Sequence, residues 1–334
     1  MSTTTTPTTT PTIALLFPGQ GSQTVGMGRA LYDAYPAARA VFEEADAALG
    51  FPLSDIIFNG PEDTLKLTEH TQPAILTVSV AALRVLQPEL KSRNLTLAFA
   101  AGHSLGEYSA HVAAGTLSFA DAVRTVRLRG QFMQSAVPPG QGAMAAILGL
   151  PVATIVAMCT QVSTESANEI VSPANLNSPD QTVISGSQAA VERAAELCKE
   201  AGAKRAVMLP VSAPFHCSLM QPAQDQLATQ LASIAFHDPA FPVASNVDAR
   251  LLTHAPDVRD ALIRQVTGAV RWVECIHLLQ QSGVTHYIEV GPGKVLTGLN
   301  RQIFKQELQT GARSLSTTNV EDPATLEKTL AAFA

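Results

Sequence analysis

Hydrophobic residues in this chain fall into two patterns, short unbroken runs that end in glycine or proline and longer stretches at helical spacing. From Ile13, "IALLFPGQGSQ" is a buried strand stopped by Pro18 and Gly19, after which the loop opens a helix. From Leu95, "LTLAFAAGHS" is a second strand that ends at Ser104, and "LGEYSAHVAAG" is a helix that stops at Gly115. Between Gly142 and Ser212 the rhythm changes. "GAMAAILGL" predicts a strand, "PVATIVAMCTQV" a helix, "EIVSPANLNS" and "QTVISGS" two strands, "QAAVERAAELCKEAGA" an amphipathic helix ended by Gly202, and "KRAVMLPVS" a last strand. That β-α-β-β-α-β order is the ferredoxin-like pattern. It predicts a small domain over residues 141–212, flanked by "VPPGQG" and "SAPFH" and inserted between the two halves, 13–140 and 213–334, of a larger one.

Beyond the insert come a helix around "SLMQPAQDQLATQLASI", a strand "FPVASNV", a helix near "VRDALIRQVTG", a further helix, and "THYIEVGPGKVL", a strand that runs through a Gly/Pro turn into a helix. Strands alternating with helices predict an α/β fold with a mainly parallel sheet. No internal repeat is present.

Composition narrows the function classes. A chain of 334 residues exceeds the usual size of one core. With 46% hydrophobic and 15% charged residues it reads as a folded enzyme-like chain. The net charge of -6 argues against nucleic acid and against an anionic membrane surface as partners. No apolar run approaches the roughly 18 to 20 residues that span a bilayer. The opening "MSTTTTPTTTPT", residues 1–12, lacks the basic start and apolar centre of a secretory signal and is expected to be a disordered tail. Cys159, Cys198, Cys217 and Cys275 show neither metal-like pairing nor disulfide density, so a reducing compartment, the cytoplasm, is expected.

Candidate chemistry begins at "GHSLG", Gly102 to Gly106, which fits the pattern G-x-S-x-G. Its glycines let a strand and a helix approach while the serine sits exposed on the turn between them. Ser104 would then lie at a helix N-terminus, where the backbone N–H of Leu105 is the natural first donor to a developing oxyanion. The alternative is a glycine-flanked turn serine with no chemistry. A serine nucleophile needs a base, and eight histidines compete. His70, His237, His254, His277 and His286 have no special neighbours. His103, Glu107 and His111 have a spacing that could mimic metal ligands, but His103 precedes the turn and lies off the helix, so no metal site is assigned. His216 in "PVSAPFHC" follows a predicted strand at the rim where strand ends gather, as a base or as a structural imidazole.

One residue is out of pattern. In "SFADAVRTVRLRGQFMQSAV" the apolar stripe Phe119, Val123, Val126, Gly130, Met133 and Val137 contains Arg129, while Arg124 and Arg127 point more outward. A buried guanidinium needs a partner. That partner is either an internal Asp or Glu, or a carboxylate that arrives with the substrate.

Taken in order, "FPGQGSQ", "GHSLGEYSA", "LRGQFMQ", "GAMAAI", "SPANLNSP", "PVSAPFHC" and "EVGPGKVLTGL" resemble the malonyl-CoA:acyl carrier protein transacylases of fatty acid synthesis, over nearly the whole chain from Ile13. The blocks are also akin to the acyltransferase domains of polyketide synthases. The resemblance implies an α/β-hydrolase-like large domain with a ferredoxin-like insert. It implies that Ser104 is the nucleophile, His216 its base, Arg129 the grip on the malonyl carboxylate, and Gln20 with the backbone of Leu105 the oxyanion hole. It further implies that Gln265 orients the histidine through its main-chain carbonyl, giving a Ser-His dyad. Phe215 stands where malonyl-selective members of the wider superfamily often carry Phe and methylmalonyl-selective ones carry Ser, although some bacterial malonyl enzymes also have Ser there. Malonyl-CoA and acyl carrier protein are the implied partners, with the coenzyme A thioester as substrate and no cofactor. A serine hydrolase of the same architecture and a catalytically silent scaffold are the rival readings. Carrier proteins are generally acidic, so docking needs a basic patch on this acidic chain, for which Lys204 with Arg205, or Lys91 with Arg93, are candidates.

Overall fold

All five residues of the first strand, β1 (Ile13–Phe17), are fully buried, and the layers of the fold follow from where they point. The structure, a computed structural model, describes residues 11–165, 169–211, 213–310 and 315–333. The further strands among them are β2 (Leu97–Gly102), β3 (Gly142–Leu148), β4 (Val171–Ser178), β5 (Gln181–Ser187), β6 (Arg205–Met208), β7 (Val243–Ala244), β8 (Leu251–Leu252), β9 (His286–Val290) and β10 (Ser316–Val320). They form a six-stranded sheet in the order β10-β9-β1-β2-β7-β8 and a four-stranded sheet in the order β4-β5-β3-β6. The larger sheet is parallel apart from β8, which runs antiparallel to β7. The smaller is antiparallel throughout.

A parallel sheet covered on both faces needs apolar residues at odd and even positions alike. In β1, Ile13, Leu15 and Phe17 enter one core with Leu76 and Val80 of the long helix Thr68–Ser92. Ala14 and Leu16 enter a second core with Trp272 and Tyr287. The same alternation joins the two sheets. In β3, Met144 and Ala146 belong to the first core, whereas Ala145 and Ile147 belong to a third, with Ile155 and Val191 from the helices Val152–Glu165 and Gln188–Glu200. The backbone adds a direct tie, because Val270 N–H donates to Ala174 at 2.8 Å and Leu176 N–H donates to Val270 at 2.9 Å. A cleft lies where this join faces the loops after β1 and β2, lined among others by Met144, Asn175, Gln20 and His103.

The strand and helix order expected over residues 142–208 is present. Of the boundary at 141–212, Ser212 lies outside the described residues. So do residues 1–10 of the threonine-rich stretch 1–12, whereas Thr12 accepts backbone hydrogen bonds from Thr285 and His286. Other expectations are shortened. "FPVASNV" gives only the two-residue β7, because the chain turns back at Ser245, whose N–H donates to Arg250. The helix after "FPGQGSQ" starts at Arg29, after a series of turns. A cap of helices from Arg29–Ala34 to Thr68–Ser92 follows.

The helix Phe119–Ser135 crosses the start of Thr68–Ser92 at Gly130. A Cβ there would lie 2.6 Å from the Thr68 carbonyl oxygen and 2.8 Å from Glu69 Cα. Helix propensity alone favours alanine by about 1 kcal/mol. The forced separation outweighs it, since overpacking of this kind typically costs about 1–3 kcal/mol. Gly130→Ala is therefore expected to lower the urea midpoint, and a raised midpoint would show that the crossing does not limit the distance between these helices.

Candidate active site

Ser104 occupies the turn between β2 and the helix Gly106–Ala113 with φ at 51°, a left-handed conformation that serine rarely adopts. The flanking glycines explain how the turn fits. A Cβ on Gly102 would lie 1.9 Å from the Gly106 carbonyl carbon, and one on Gly106 would lie 2.1 Å from the Phe17 oxygen. The turn is held by Asn246, from the loop after β7. Its Oδ1 accepts from Ser104 N–H at 2.7 Å, and its Nδ2 donates to the Gly102 carbonyl at 2.7 Å. The loop after β1 passes close by, with Gly19 against the His103 carbonyl.

His216 likewise has positive φ, at 61°. Its Nε2 lies 2.7 Å from Ser104 Oγ, and its Nδ1 faces two carbonyl oxygens, Gln265 at 2.9 Å and Gly268 at 3.1 Å. Two acceptors at Nδ1 place the imidazole proton there and leave Nε2 as acceptor for the serine hydroxyl. Among the described residues no carboxylate takes the third place. Burial, and next the positive charge of Arg129, push the imidazole down to about 3. The ring is therefore neutral near pH 7 and free to take a proton.

Arg129 is 1% exposed. Its Nη1 donates to Gln72 Oε1 at 2.8 Å, and its Nη2 donates to Gln265 Oε1 at 3.0 Å and to Ser104 Oγ at 3.3 Å. These acceptors are all neutral, and Nε has no partner. Among the described residues no carboxylate lies within ion-pair distance of the guanidinium. The outward arginines behave as the stripe requires, with Arg124 paired to Asp121 at 2.8 Å and Arg127 lying over the Phe51 ring.

Ser104, His216, Arg129 and Gln72 line a cleft of about 640 Å³, together with Gln20, Leu105 and Phe215, and Gln265 lies behind Arg129. Leu105 is buried and caps the helix Gly106–Ala113, so its N–H belongs to the helix's unpaired first-turn donors. Gln20 is exposed at the cleft edge. All six candidate residues thus meet at one place. Sequence reasoning missed Gln72 and Asn246, and the only trace of them is a polar residue inside the apolar runs "HTQPAILTVSV" and "FPVASNV".

His103 turns away from metal chemistry, with Nε2 2.8 Å from Asn177 Oδ1 and its ring against Trp272. Glu107 and His111 are fully buried in the helix behind the serine. Among the described residues no group of three or more His, Cys, Asp or Glu could hold a metal ion. No described helix is long and apolar enough to cross a membrane. Of the basic pairs, Lys204 and Arg205 are exposed at the start of β6, while Arg93 is paired with Glu89 at 2.7 Å.

Comparison with known proteins gives a consistent picture. The acyl transferase domain family matches residues 14–330. The malonyl CoA-acyl carrier protein transacylase of Escherichia coli is 52% identical over 290 residues, 87% of this chain and 92% of that protein. Among solved structures, an acyl carrier protein S-malonyltransferase from Vibrio cholerae superposes with a TM-score of 0.88 at 48% identity, covering 95% of this chain and 99% of that one. A malonyl-transacylase solved in complex with its type II PKS acyl-carrier protein gives 0.89 at 45% identity, covering 96% and 99%.

The electrostatics of His216 have a measurable consequence. Labelling of Ser104 by a fluorophosphonate should persist well below the ordinary imidazole pKa of about 6.5. Replacing Arg129 by Gln removes the positive charge that disfavours imidazolium, so the acid limb of the labelling rate should move to higher pH. A limb already near 6.5 in the wild type, or one that the substitution leaves in place, would contradict the assignment.

Proposed function

We infer the function from kinship and geometry together: the chain belongs to the acyl transferase domain family, and it transfers the malonyl group from malonyl-CoA to the phosphopantetheine thiol of an acyl carrier protein. The reaction has two half-steps. His216 Nε2 takes the proton from Ser104 Oγ as the oxygen bonds to the thioester carbonyl carbon. The tetrahedral oxyanion is met by Gln20 and the Leu105 N–H. The C–S bond then breaks, and the imidazolium returns its proton to the departing coenzyme A sulfur, leaving a malonyl-serine ester. In the second half-step the carrier thiol gives its proton to His216, its sulfur attacks the ester carbonyl, and Ser104 leaves with the proton. Gln265 orients the imidazole through its main-chain oxygen. The coenzyme A thioester is the substrate, and no cofactor is assigned to these steps.

One observation carries this reading. The hydroxyl that contacts His216 Nε2 at 2.7 Å is also 3.3 Å from Arg129 Nη2, so the guanidinium stands within a short acyl chain of the nucleophile. A bound malonyl carboxylate supplies the anionic partner that its neutral acceptors do not. An acetyl group leaves it unpaired, which at about 3–5 kcal/mol corresponds to about two to nearly four decades in rate. Phe215, buried and lining the cleft, is assigned to excluding an α-methyl branch.

The catalytic unit is assigned to residues 13–140 and 213–334, with an α/β-hydrolase-like arrangement, and the insert to 141–212 with a ferredoxin-like one. The sheet order β4-β5-β3-β6 and the two helices packed on one of its faces support the latter. The role assigned to it is the supply of malonyl groups to fatty acid synthesis in the cytoplasm.

Brief exposure to malonyl-CoA should add one malonyl group to Ser104, and added carrier protein should remove it as malonyl thioester. Accumulation of free malonate at the same rate without carrier would mark a hydrolase instead. Arg129→Ala should lose two or more decades of malonyl transfer while acetyl transfer persists or rises. Equal loss of both would remove Arg129 from substrate selection.

A further inference from the structure

The glutamate behind the nucleophile has no place in the steps above, yet it is 0% exposed and bonded to the residue that links Arg129 with His216. Glu107 Oε2 accepts from Gln265 Nε2 at 2.7 Å and from the Asn246 N–H at 3.2 Å, while Oε1 has no partner. Gln265 Nε2 also donates to the Ser104 carbonyl at 2.9 Å, and its Oε1 accepts from Arg129 Nη2 at 3.0 Å. The amide therefore stands between two acceptors on one side and a guanidinium on the other. Turned over, it would set an NH2 against the guanidinium and an oxygen against both the Ser104 carbonyl and the Glu107 carboxyl. Every contact would be mismatched in a buried site, where an unsatisfied polar group costs about 1–3 kcal/mol.

We propose that Glu107 is a positioning residue for malonyl recognition, because its carboxyl oxygen fixes the amide of Gln265 so that Oε1 faces Arg129. It contacts neither substrate nor the reacting atoms. It acts through Gln265, and by the same oxygen it holds the Asn246 backbone that supports the Ser104 turn. Asn246 bonds Ser104 and Gln265 bonds Arg129, so one carboxyl oxygen sets the relative places of the nucleophile and the cation. The charged and titratable groups around it are Tyr108 on its own helix, Arg129 on Phe119–Ser135, Asp248 in the loop after β7 and Cys275 on Trp272–Gln281. Burial raises the carboxyl to about 7, and it accepts through Oε2 in either protonation state. The acceptor, not the charge, is the working feature.

The proposal rests on the transferase reading for its kinetic test, and a pair of substitutions separates acceptor from charge. Glu107→Gln keeps a carbonyl oxygen and loses the charge, and Glu107→Leu loses both. In Glu107→Leu the KM for malonyl-CoA should rise by about tenfold or more and the malonyl-to-acetyl ratio should fall by a similar factor, with Glu107→Gln restoring most of both. Equal behaviour of the two variants, or an unchanged ratio in a folded Glu107→Leu protein, would overturn the proposal. A second measurement needs no variant that folds poorly and no turnover. In the wild-type protein the Gln265 side-chain NH2, donating to both Glu107 and the Ser104 carbonyl, should give a slowly exchanging NMR signal shifted downfield of a solvated amide. A rapidly exchanging amide at the shift of a solvated one would overturn the proposal as well. Failure of the transferase reading would look different, since wild-type Ser104 would then acquire no malonyl group while the NMR result stood.

Discussion

A guanidinium buried against neutral acceptors is the interaction about which this site is arranged. Taking such a charge out of water is costly, and a carboxylate at bonding distance usually offsets it. Here Arg129 has two glutamine oxygens and a serine hydroxyl. The positive field has one effect on the cleft and another on the base. It makes an anionic acyl group the natural ligand beside the hydroxyl, and with burial it keeps His216 unprotonated. In the proposed reaction, selectivity and readiness of the dyad thus share a physical source.

Keeping that charge close to the nucleophile requires unusual backbone. Ser104 and His216 both adopt positive φ, and their side chains meet at 2.7 Å. Strain of about 1–3 kcal/mol at each such residue persists only where surrounding contacts over-determine it. Asn246 bridges the two ends of the serine turn, and the Gln265 and Gly268 carbonyls fix the imidazole. A bidentate surface clamp joins the segments that carry both supports. Asp248, two residues past Asn246, accepts two bonds of 2.7 Å from Arg264, the neighbour of Gln265.

Much of this was legible in the sequence because its signals are local. G-x-S-x-G reports a strand, a tight turn and a helix within a few residues, and an arginine in an apolar stripe reports a buried cation. The four-stranded sheet was readable because its strands and helices follow one another without long excursions. What escaped detection depends on distant segments. Gln72 works only because the helix Phe119–Ser135 crosses at Gly130, and Asn246 only because β7 ends beside β2. The polar strand "STTNV" of β10 carries no hydrophobic alternation, since it is a sheet edge with one fully buried residue, Val320. The roles of Gln20 and Gln265 came from resemblance, not from any pattern in their own segments.

The central claim is that Arg129 distinguishes acyl groups by charge and not by shape. Pre-steady-state acylation of Ser104 by malonyl-CoA and by its neutral near-isostere malonamyl-CoA, in which an amide replaces the free carboxylate, tests it most directly. The wild type should favour the malonyl thioester by about two decades or more in kcat/KM, and Arg129→Gln should bring the two rates together. Equal acylation by both thioesters in the wild type would mean that the buried cation does not choose the substrate.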